Sequence, residues 1–437
     1  MRPISVGVIG CGTAGPAAAL FLAEQGHDVT IYERVANPTA VGAGIILQPT
    51  GQAVLARLGV YARVKEKGAR LDGLIVKREG QRTLLELSYD TVSPSYYGLG
   101  LHRGVLFEAL FEAVKRHPGI TLRLGVTGEG LVRGPGRSFF VATDGGERLG
   151  PHDLVIAADG AKSRFRDDTG LLRRAEPYPW GAVWFMADDP DEFFRGKLFQ
   201  HVEGTRKMLG FLPTGRGPEL DGTGDRAKFR GARSAGAEPR PPGNKVSLYW
   251  SLAADEVPAL RRPGGFERWR DEVRAMSDDA DRVLSQIGSA DELLFSQYHD
   301  VVMAPWHTRA VVHLGDSAHA TSPQLGQGAN LALWDAMVLA DAIAAEPTDL
   351  VRALSEYSRA RTSHLGYYQF TTRALTPFFQ SRHDALGVLR DLFMPLASKI
   401  PFFNRTMVLG MTGTCAGFTF GEVTLPGRYE EAASSSS

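Results

Sequence analysis

Residues 4–34 read ISVGVIGCGTAGPAAALFLAEQGHDVTIYER. The apolar run 4–9 is so poor in polar residues that it predicts a strand covered on both faces, as in a parallel sheet. It breaks at Gly10-Cys11-Gly12-Thr13-Ala14-Gly15, and 17–25 then carries helical spacing closed by Gly26. Residues 28–32 predict a second strand, which ends on Glu33. G-x-G-x-x-G at the first turn and an acid after the second strand are the arrangement of a dinucleotide-binding unit. Each residue type has a task. Gly10 permits the tight turn, Gly12 lets backbone approach a pyrophosphate, and Gly15 lets the helix sit close to the strand. The helix start supplies N–H groups and a positive dipole end for phosphate. Glu33 is placed to accept hydrogen bonds from ribose hydroxyls.

Outward from that unit, the chain has 437 residues, enough for two or three domains with their own cores. Lys plus Arg and Asp plus Glu both number 49, so the formal net charge is +0, which argues against nucleic acid as a partner. The two cysteines, Cys11 and Cys415, exclude a disulfide framework or a cysteine metal cluster, and no metal is expected. Cys11 reads as a small filler in the glycine turn. No cleavable leader precedes the first strand, and no uncharged apolar run reaches ~18 residues. A cytoplasmic protein without a transmembrane segment is expected, as a monomer or homodimer.

Gly42 and Gly44 predict backbone lying close to a flat ligand, and Thr50 an N-cap for a helix over 53–58. Segments 71–77 and 83–87 read as a hairpin turned at Glu79 and Gly80. Arg103 opens a helix with Leu106, Leu110 and Val114 on one face. A cation there opposes the helix dipole, so a nearby anionic ligand would account for it. Residues 121–124, 138–141 and 153–158 predict strands. The last ends on Asp159-Gly160, with Ser163 and Arg166 at the following helix start, which places a carboxylate and a glycine on the ligand edge of a parallel sheet.

From 178 to 252 the strand-like segments 182–187, 197–202, 207–212 and 245–252 lack intervening helices. They predict an antiparallel sheet whose Trp180, Trp184, Phe199, Met208, Phe211, Tyr249 and Trp250 could wall a cavity. The polar stretch 213–244, rich in Gly, Pro and Arg, reads as a mobile insertion. Helices are expected at 266–276 and 281–287. A strand at 310–314 runs into Gly315-Asp316, then a loop with His319 and Pro323, then a helix from about Gly328. Gly326, Gly328, Ala329 and Asn330 gather N–H groups at that helix start. His319 reads as a loop histidine bonded to its own backbone, or as a base. Helices follow over 349–370, 385–397 and 404–411. The last two, rich in Leu, Phe and Met, are expected as core or dimer contact, with a membrane-surface helix as the outside reading. The tail 430–437 reads as disordered.

Three separated ligand motifs imply an extended, tightly held dinucleotide such as FAD rather than a transient NAD. Together they resemble the FAD-dependent single-component aromatic hydroxylases of the p-hydroxybenzoate hydroxylase fold, among them salicylate and 6-hydroxynicotinate hydroxylases. The resemblance runs to about residue 410. It implies an α/β organisation: a Rossmann-type FAD-binding domain in three parts (1–70, 101–175, 301–347), a substrate-side hairpin (71–100), an inserted antiparallel-sheet substrate domain (176–300) and C-terminal helices (348–437). It implies further that Gly10, Gly12, Thr13, Ala14, Gly15, Glu33 and Arg34 hold the ADP half, with Gly44 beside the cofactor. Arg103 would meet the phosphates or ribityl chain. Asp159-Gly160 would serve both FAD and NAD(P)H, and Gly315-Asp316 the ribityl chain. Gly326, Gly328, Ala329 and Asn330 would lie by the flavin pyrimidine, and the Pro323 carbonyl near the substrate's reacting edge.

The implied activity is hydroxylation of an aromatic small molecule with NADH or NADPH and O2, through a C4a-hydroperoxyflavin that must be kept dry. Electron release from a phenol needs a base or hydrogen-bond partner, for which His201, Tyr249 and His319 are the candidates. The sheet segments carry no cluster of arginine and tyrosine to grip a small carboxylate, so a neutral, apolar or polycyclic aromatic of secondary metabolism is expected. Two alternatives stay open, an FAD-dependent reductase of isoprenoid double bonds and a flavin-binding sensor without chemistry. The halogenase pattern W-x-W-x-I-P is missing.

Overall fold

In the computed structural model, which describes residues 3–39, 42–218 and 243–426, the glycine turn joins β1 (Ser5–Ile9) to α1 (Ala14–Glu24) and β2 (Asp28–Glu33). β1 and β2 pair in parallel, with Val6 opposite Val29 and Val8 opposite Ile31. Next come β3 (Gly44–Leu47), α2 (Pro49–Arg57), α3 (Tyr61–Lys67), β4 (Ala69–Arg78), β5 (Arg82–Ser88) and β6 (Gly98–His102). α4 (Arg103–Arg116) and β7 (Ile120–Leu124) lead to β8 (Gly128–Arg133), β9 (Phe139–Thr143) and β10 (Arg148–His152). β11 (Leu154–Ala157) and α5 (Phe165–Thr169) precede β12 (Leu172–Asp188), β13 (Gly196–Glu203), β14 (Lys207–Arg216) and β15 (Asn244–Ala253). Helices α6 (Val257–Leu260), α7 (Gly265–Met276) and α8 (Asp281–Leu284) separate these from β16 (Leu294–Met303) and β17 (Val311–His313). The chain closes with α9 (Asp316–His319), α10 (Gly328–Ala345), α11 (Leu350–Phe379), α12 (Asp384–Ala397) and α13 (Pro401–Thr412).

Three sheets result. The parallel one has the order β17-β11-β1-β2-β7, and β1 and β11 are almost wholly buried, as their uninterrupted apolar runs require. A small antiparallel sheet, β10-β9-β8, stands beside it. The third has nine strands, ordered β16-β12-β15-β14-β13-β4-β6-β3, with β5 on β4. This corrects two expectations. The sheet is mixed rather than antiparallel, because β4 runs parallel to β13, and the 71–100 hairpin is continuous with it. β12 is one long strand from Leu172, broken by shifts in register, where the sequence marked only 182–187.

Of the expected insertion 213–244, residues 219–242 lie outside the described residues, as does the tail 430–437. Pro213–Arg216 belong to β14 and Asn244 to β15, so those ends are sheet rather than loop. Thr50 is not the cap of α2. Pro49 takes the first helical position and Gln48 the cap, without a side-chain bond. α10 is the one helix among the described residues long and apolar enough by composition to cross a membrane, yet it packs against α1, α2 and α11 and is mostly buried.

The two faces of the nine-stranded sheet differ. Phe199, Phe211, Leu248 and Trp250 point to one side, where α7 and α8 bury them. Trp184, Met208, Tyr249 and Leu198 point to the other, under Met394 of α12 and Met407, Val408 and Met411 of α13. The period of two along a strand makes this division unavoidable. Of the seven side chains expected to wall one cavity, Phe199, Phe211 and Trp250 therefore face α7 and α8, and Trp184, Met208 and Tyr249 face α12 and α13.

Candidate active site

The carboxyl ends of β1, β2, β11 and β17 form one edge, where a ligand of an open parallel sheet binds. Gly10 there has φ 98°, and a Cβ on it would lie 2.6 Å from the Ala158 carbonyl oxygen. Gly15 is tighter still: a Cβ would sit 2.1 Å from the Gly10 oxygen. Gly12, by contrast, faces open space, with nothing within 4 Å of an added Cβ. Cys11 is buried, and burial, with Glu33 second, pushes its thiol up to about 12, so it stays a neutral filler. The Glu33 carboxylate accepts from Cys11 N at 2.8 Å and Val35 N at 2.9 Å, which holds it beside the turn. α1 has no side chain on its cap Thr13 bonded inward, and no acid in its first turn. Its first N–H groups are therefore available to an anion. Arg34 and Arg103 are exposed, and neither has a carboxylate partner among the described residues. Gly42, at φ 139°, packs on the Arg103 chain, 3.0 Å from Cδ to an added Cβ.

Asp159 and Gly160 follow β11 directly. Burial pushes the Asp159 carboxyl up, and its Oδ1 is enclosed without a hydrogen-bond partner. Arg166, unremarked beyond its position in the sequence, donates to the oxygens of Ala161 (2.8 Å) and Ser317 (3.0 Å) and so ties this turn to the next. Gly315 has φ 59° and is wedged between Ala332 and Ala14. The exposed Asp316 carboxylate lies 4.0 Å from an added Cβ at Gly328, facing the start of α10. α10 likewise lacks an acid in its first turn and a capping side chain. Two uncapped helix starts, an orphaned carboxylate oxygen and open space at Gly12, Gly160 and Gly326 fit a long, phosphate-containing cofactor lying along this edge.

Four expectations are corrected. Gly44 is not beside open space: it heads β3, its N–H donates to Ser247 Oγ at 3.1 Å, and a Cβ would meet Ser247 at 2.6 Å. The Asn330 side chain is fully used inside the fold, accepting from Gln48 N and donating to the Ile46 and Gly326 oxygens. Gly326 N donates to Pro323 O, so it is not one of the free donors at that helix start, whereas the backbone N–H groups of Gly328, Ala329 and Asn330 precede the first intrahelical bond, from Leu331 N to Gln327 O. The His319 side chain bonds Asp335 rather than its own backbone. It is buried, with Nε2 2.5 Å from Asp335 Oδ2.

That contact belongs to a network of which no local sequence pattern is a sign. Asp335 accepts from Gly315 N (2.8 Å), His319 and Arg361 Nε (2.8 Å). Arg361 donates onward to His364 Nδ1, and His364 Nε2 donates to Gly413 O at 2.9 Å, which makes His364 the neutral tautomer. Asp335 and Arg361 are fully buried. Burial would push the Asp335 carboxyl up, but His319 and Arg361 prevail and hold it at about 2. The network clamps the Gly315 turn to α11 and to the chain after α13.

The second assembly lies on the sheet face under α12 and α13. Tyr249 accepts from the Gln200 amide and packs its ring 5.1 Å from that of Trp184. Gly210 makes room for it, since a Cβ there would strike the phenol ring at 2.0 Å. Tyr298, which nothing in the local sequence singles out, faces Tyr249 and Gln380. Gln380 donates to Ser251 Oγ (2.9 Å) and accepts from Gln324 (3.0 Å), so the array reaches the Pro323 loop. Burial pushes both phenols well above their usual range, so they donate hydrogen bonds rather than take protons. His201 has the wrong parity for this face. It lies across the sheet, in a cleft of about 250 Å³ with Arg78, Gln81, Met276 and Asp278.

Buried histidines also make the fold acid-sensitive. Burial first, then a neighbouring cation, holds His102, His201 and His313 near 4 and His364 near 3. In the unfolded chain they titrate near ~6.5. Their folded pKa is depressed, so the stability they contribute is complete above ~6.5 and is lost as pH falls towards 4. Each costs roughly 1.4 kcal/mol per pH unit in that window. The melting temperature is expected to drop by several degrees between pH 7 and pH 5, and circular dichroism at the two values checks it.

Comparison with known proteins agrees with this geometry. The family described as FAD binding domain matches residues 3–365. The 3-amino-4-hydroxybenzoate 2-monooxygenase of Streptomyces cremeus is 29% identical over 82% of this chain and 84% of its own. The 6-methylpretetramide 4-monooxygenase of Streptomyces rimosus is 30% identical over 76% of this chain and 72% of its own. Among solved structures, PqsL of Pseudomonas aeruginosa superposes with a TM-score of 0.72 at 22% identity, covering 89% of this chain and 100% of that one. The last likeness concerns the fold.

Proposed function

Since this chain belongs to the FAD-binding-domain family of flavin-dependent aromatic monooxygenases, we propose that it inserts one oxygen atom of O2 into a neutral, apolar aromatic, with NAD(P)H as reductant. The observation that carries the cofactor assignment is the convergence of the Gly10–Gly15, Asp159–Gly160 and Gly315–Asp316 turns on one sheet edge. The reductase and sensor alternatives are not favoured by relatives that are monooxygenases by name. FAD, when bound, supplies hydride acceptance and the activation of O2.

The residues do the rest. Gly12 and the start of α1 receive the pyrophosphate, and Glu33 the adenosine ribose. Arg103 offsets phosphate charge, and Asp316 meets the ribityl chain. The N–H groups of Gly328 and Ala329, at the positive end of α10, favour negative charge on the ring edge they face. On the substrate side, Tyr249 and Tyr298 donate to a phenol or carbonyl oxygen and keep the ring in register, while Trp184 and Met208 supply an apolar wall that excludes water. The face offers hydroxyl and amide groups and no unpaired cation among the described residues, which supports a neutral ring over a benzoate.

The purified protein is expected to be yellow, with NAD(P)H oxidation accelerated by neutral phenols or fused-ring heteroaromatics and with label from ¹⁸O₂ in the product. NAD(P)H oxidation with no oxygen in any product would favour the reductase instead. In the double variant Tyr249→Phe/Tyr298→Phe, kcat/KM is expected to fall about 10- to 100-fold, the scale of two donated hydrogen bonds to a developing charge. Flavin content should not change, and a larger share of NAD(P)H should be consumed without product. Unaltered kcat/KM and coupling would remove these phenols from the site.

A further inference from the structure

α12 is inside out for a helix on the surface of a monomer. Its Arg390 is buried and donates to the Gly204 and Phe378 oxygens, both at 2.9 Å, while Asp391 pairs with it. Its outward side is Val388, Leu392, Phe393 and Leu396, each 56–71% exposed. The helix thus sets Arg390 and Met394 against the protein and turns a broader apolar side outward. α13 continues the surface with Phe402 and Phe403, and Phe402 touches Phe420 at 5.9 Å between ring centres. Four more exposed Leu, Ile and Phe side chains extend the patch. At 150–250 Å² per aromatic residue and somewhat less per aliphatic one, the exposed part comes to roughly 1,000 Å². Monomers rarely leave more than a few hundred Å² of contiguous apolar surface open. A stable interface needs about 800 Å² per partner.

We propose that two copies of this chain pair through α12 and α13 about a two-fold axis at Leu392. The spacing is self-complementary. An antiparallel crossing of two α12 helices centred on Leu392 sets Val388 of one copy against Leu396 of the other. The same register sets Ile400, 48% exposed, against the start of the partner helix at Asp384, which is itself paired with Arg206 of its own copy at 3.4 Å. The remaining rim charges are balanced in pairs, Arg405 with Glu422 and Arg382 with Asp255, which suits a second copy better than a polyanionic surface. The inner sides of the same helices carry Met394, Met407 and Met411 onto the cluster with Trp184 and Tyr249, so pairing would stiffen the substrate-side wall.

Sedimentation velocity of the FAD-loaded protein at micromolar concentration tests this. The expected mass is twice the 47.4 kDa of the chain. Leu392→Lys, at an exposed position, should give the single-chain mass with an unchanged flavin spectrum. A monomeric parent protein overturns the proposal. So does a dimer that survives Leu392→Lys, which would use another face. A protein monomeric alone but pelleted with phosphatidylglycerol vesicles also overturns it and makes the patch a membrane contact.

Discussion

Replacing Gly12 with valine is expected to yield a folded, colourless protein whose affinity for FAD falls by at least ~100-fold, about 2.7 kcal/mol. The added Cβ meets nothing within 4 Å, and Gly12 is not among the glycines held at positive φ, so the apoprotein has no reason to lose stability. The branched side chain would instead fill the space through which a pyrophosphate reaches the uncapped N–H groups of α1. Loss of two charge-assisted hydrogen bonds accounts for a change of this size. Gly15→Ala is the contrasting variant. Its Cβ would sit 2.1 Å from the Gly10 oxygen, so the strand and helix must separate and the fold itself suffers. Flavin-fluorescence titration gives the affinity and circular dichroism the melting of each apoprotein. Gly12→Val protein that binds FAD normally would show that the dinucleotide does not cross this turn.

Asp335→Asn is expected to destabilise the protein by about 3–5 kcal/mol, a large part of the 5–15 kcal/mol available to a typical fold. Among the described residues Asp335 is the carboxylate that balances the fully buried Arg361, and it also accepts from His319 and Gly315 N. The amide keeps the shape but removes the charge, which strands a guanidinium in the interior. Because Gly315 is one of the three cofactor-contacting turns proposed above, weaker FAD retention should accompany the loss. Urea unfolding of parent and variant in the apo form measures the first effect, and FAD dissociation the second. A change below about 1 kcal/mol would mean that Arg361 finds another partner and that the network is not what secures the Gly315 turn.

What is legible locally in the sequence rests on chemistry that neighbouring residues carry by themselves. Gly10, Gly12 and Gly15 specify a turn through their own steric limits, and β1 and β11 announce their burial by unbroken apolar runs. Asp159-Gly160 and Gly315-Asp316 stand out because a carboxylate and a glycine directly follow such runs. Side-chain direction is not legible in this way. Asn330 and Gly44 sit in motifs that point to ligand, yet Asn330 is spent on Gln48, Ile46 and Gly326, and Gly44 on Ser247. His201 and Gln200 are adjacent in sequence but lie on opposite faces of one sheet, and only Gln200 meets Tyr249.

Sequence by itself thus determined the dinucleotide unit, the three turns along its edge and the α/β class, because each depends on interactions within a few residues. The order and register of the nine-stranded sheet decided which of its residues share a face. That order depends on strands far apart in the chain, such as β4 beside β13, and on a parity that a one-residue shift would reverse. The Asp335–Arg361 pair and the outward apolar side of α12 were settled in the same way. A buried charge and an exposed leucine look alike in sequence to their ordinary counterparts, and only the surroundings supplied by the folded chain tell them apart.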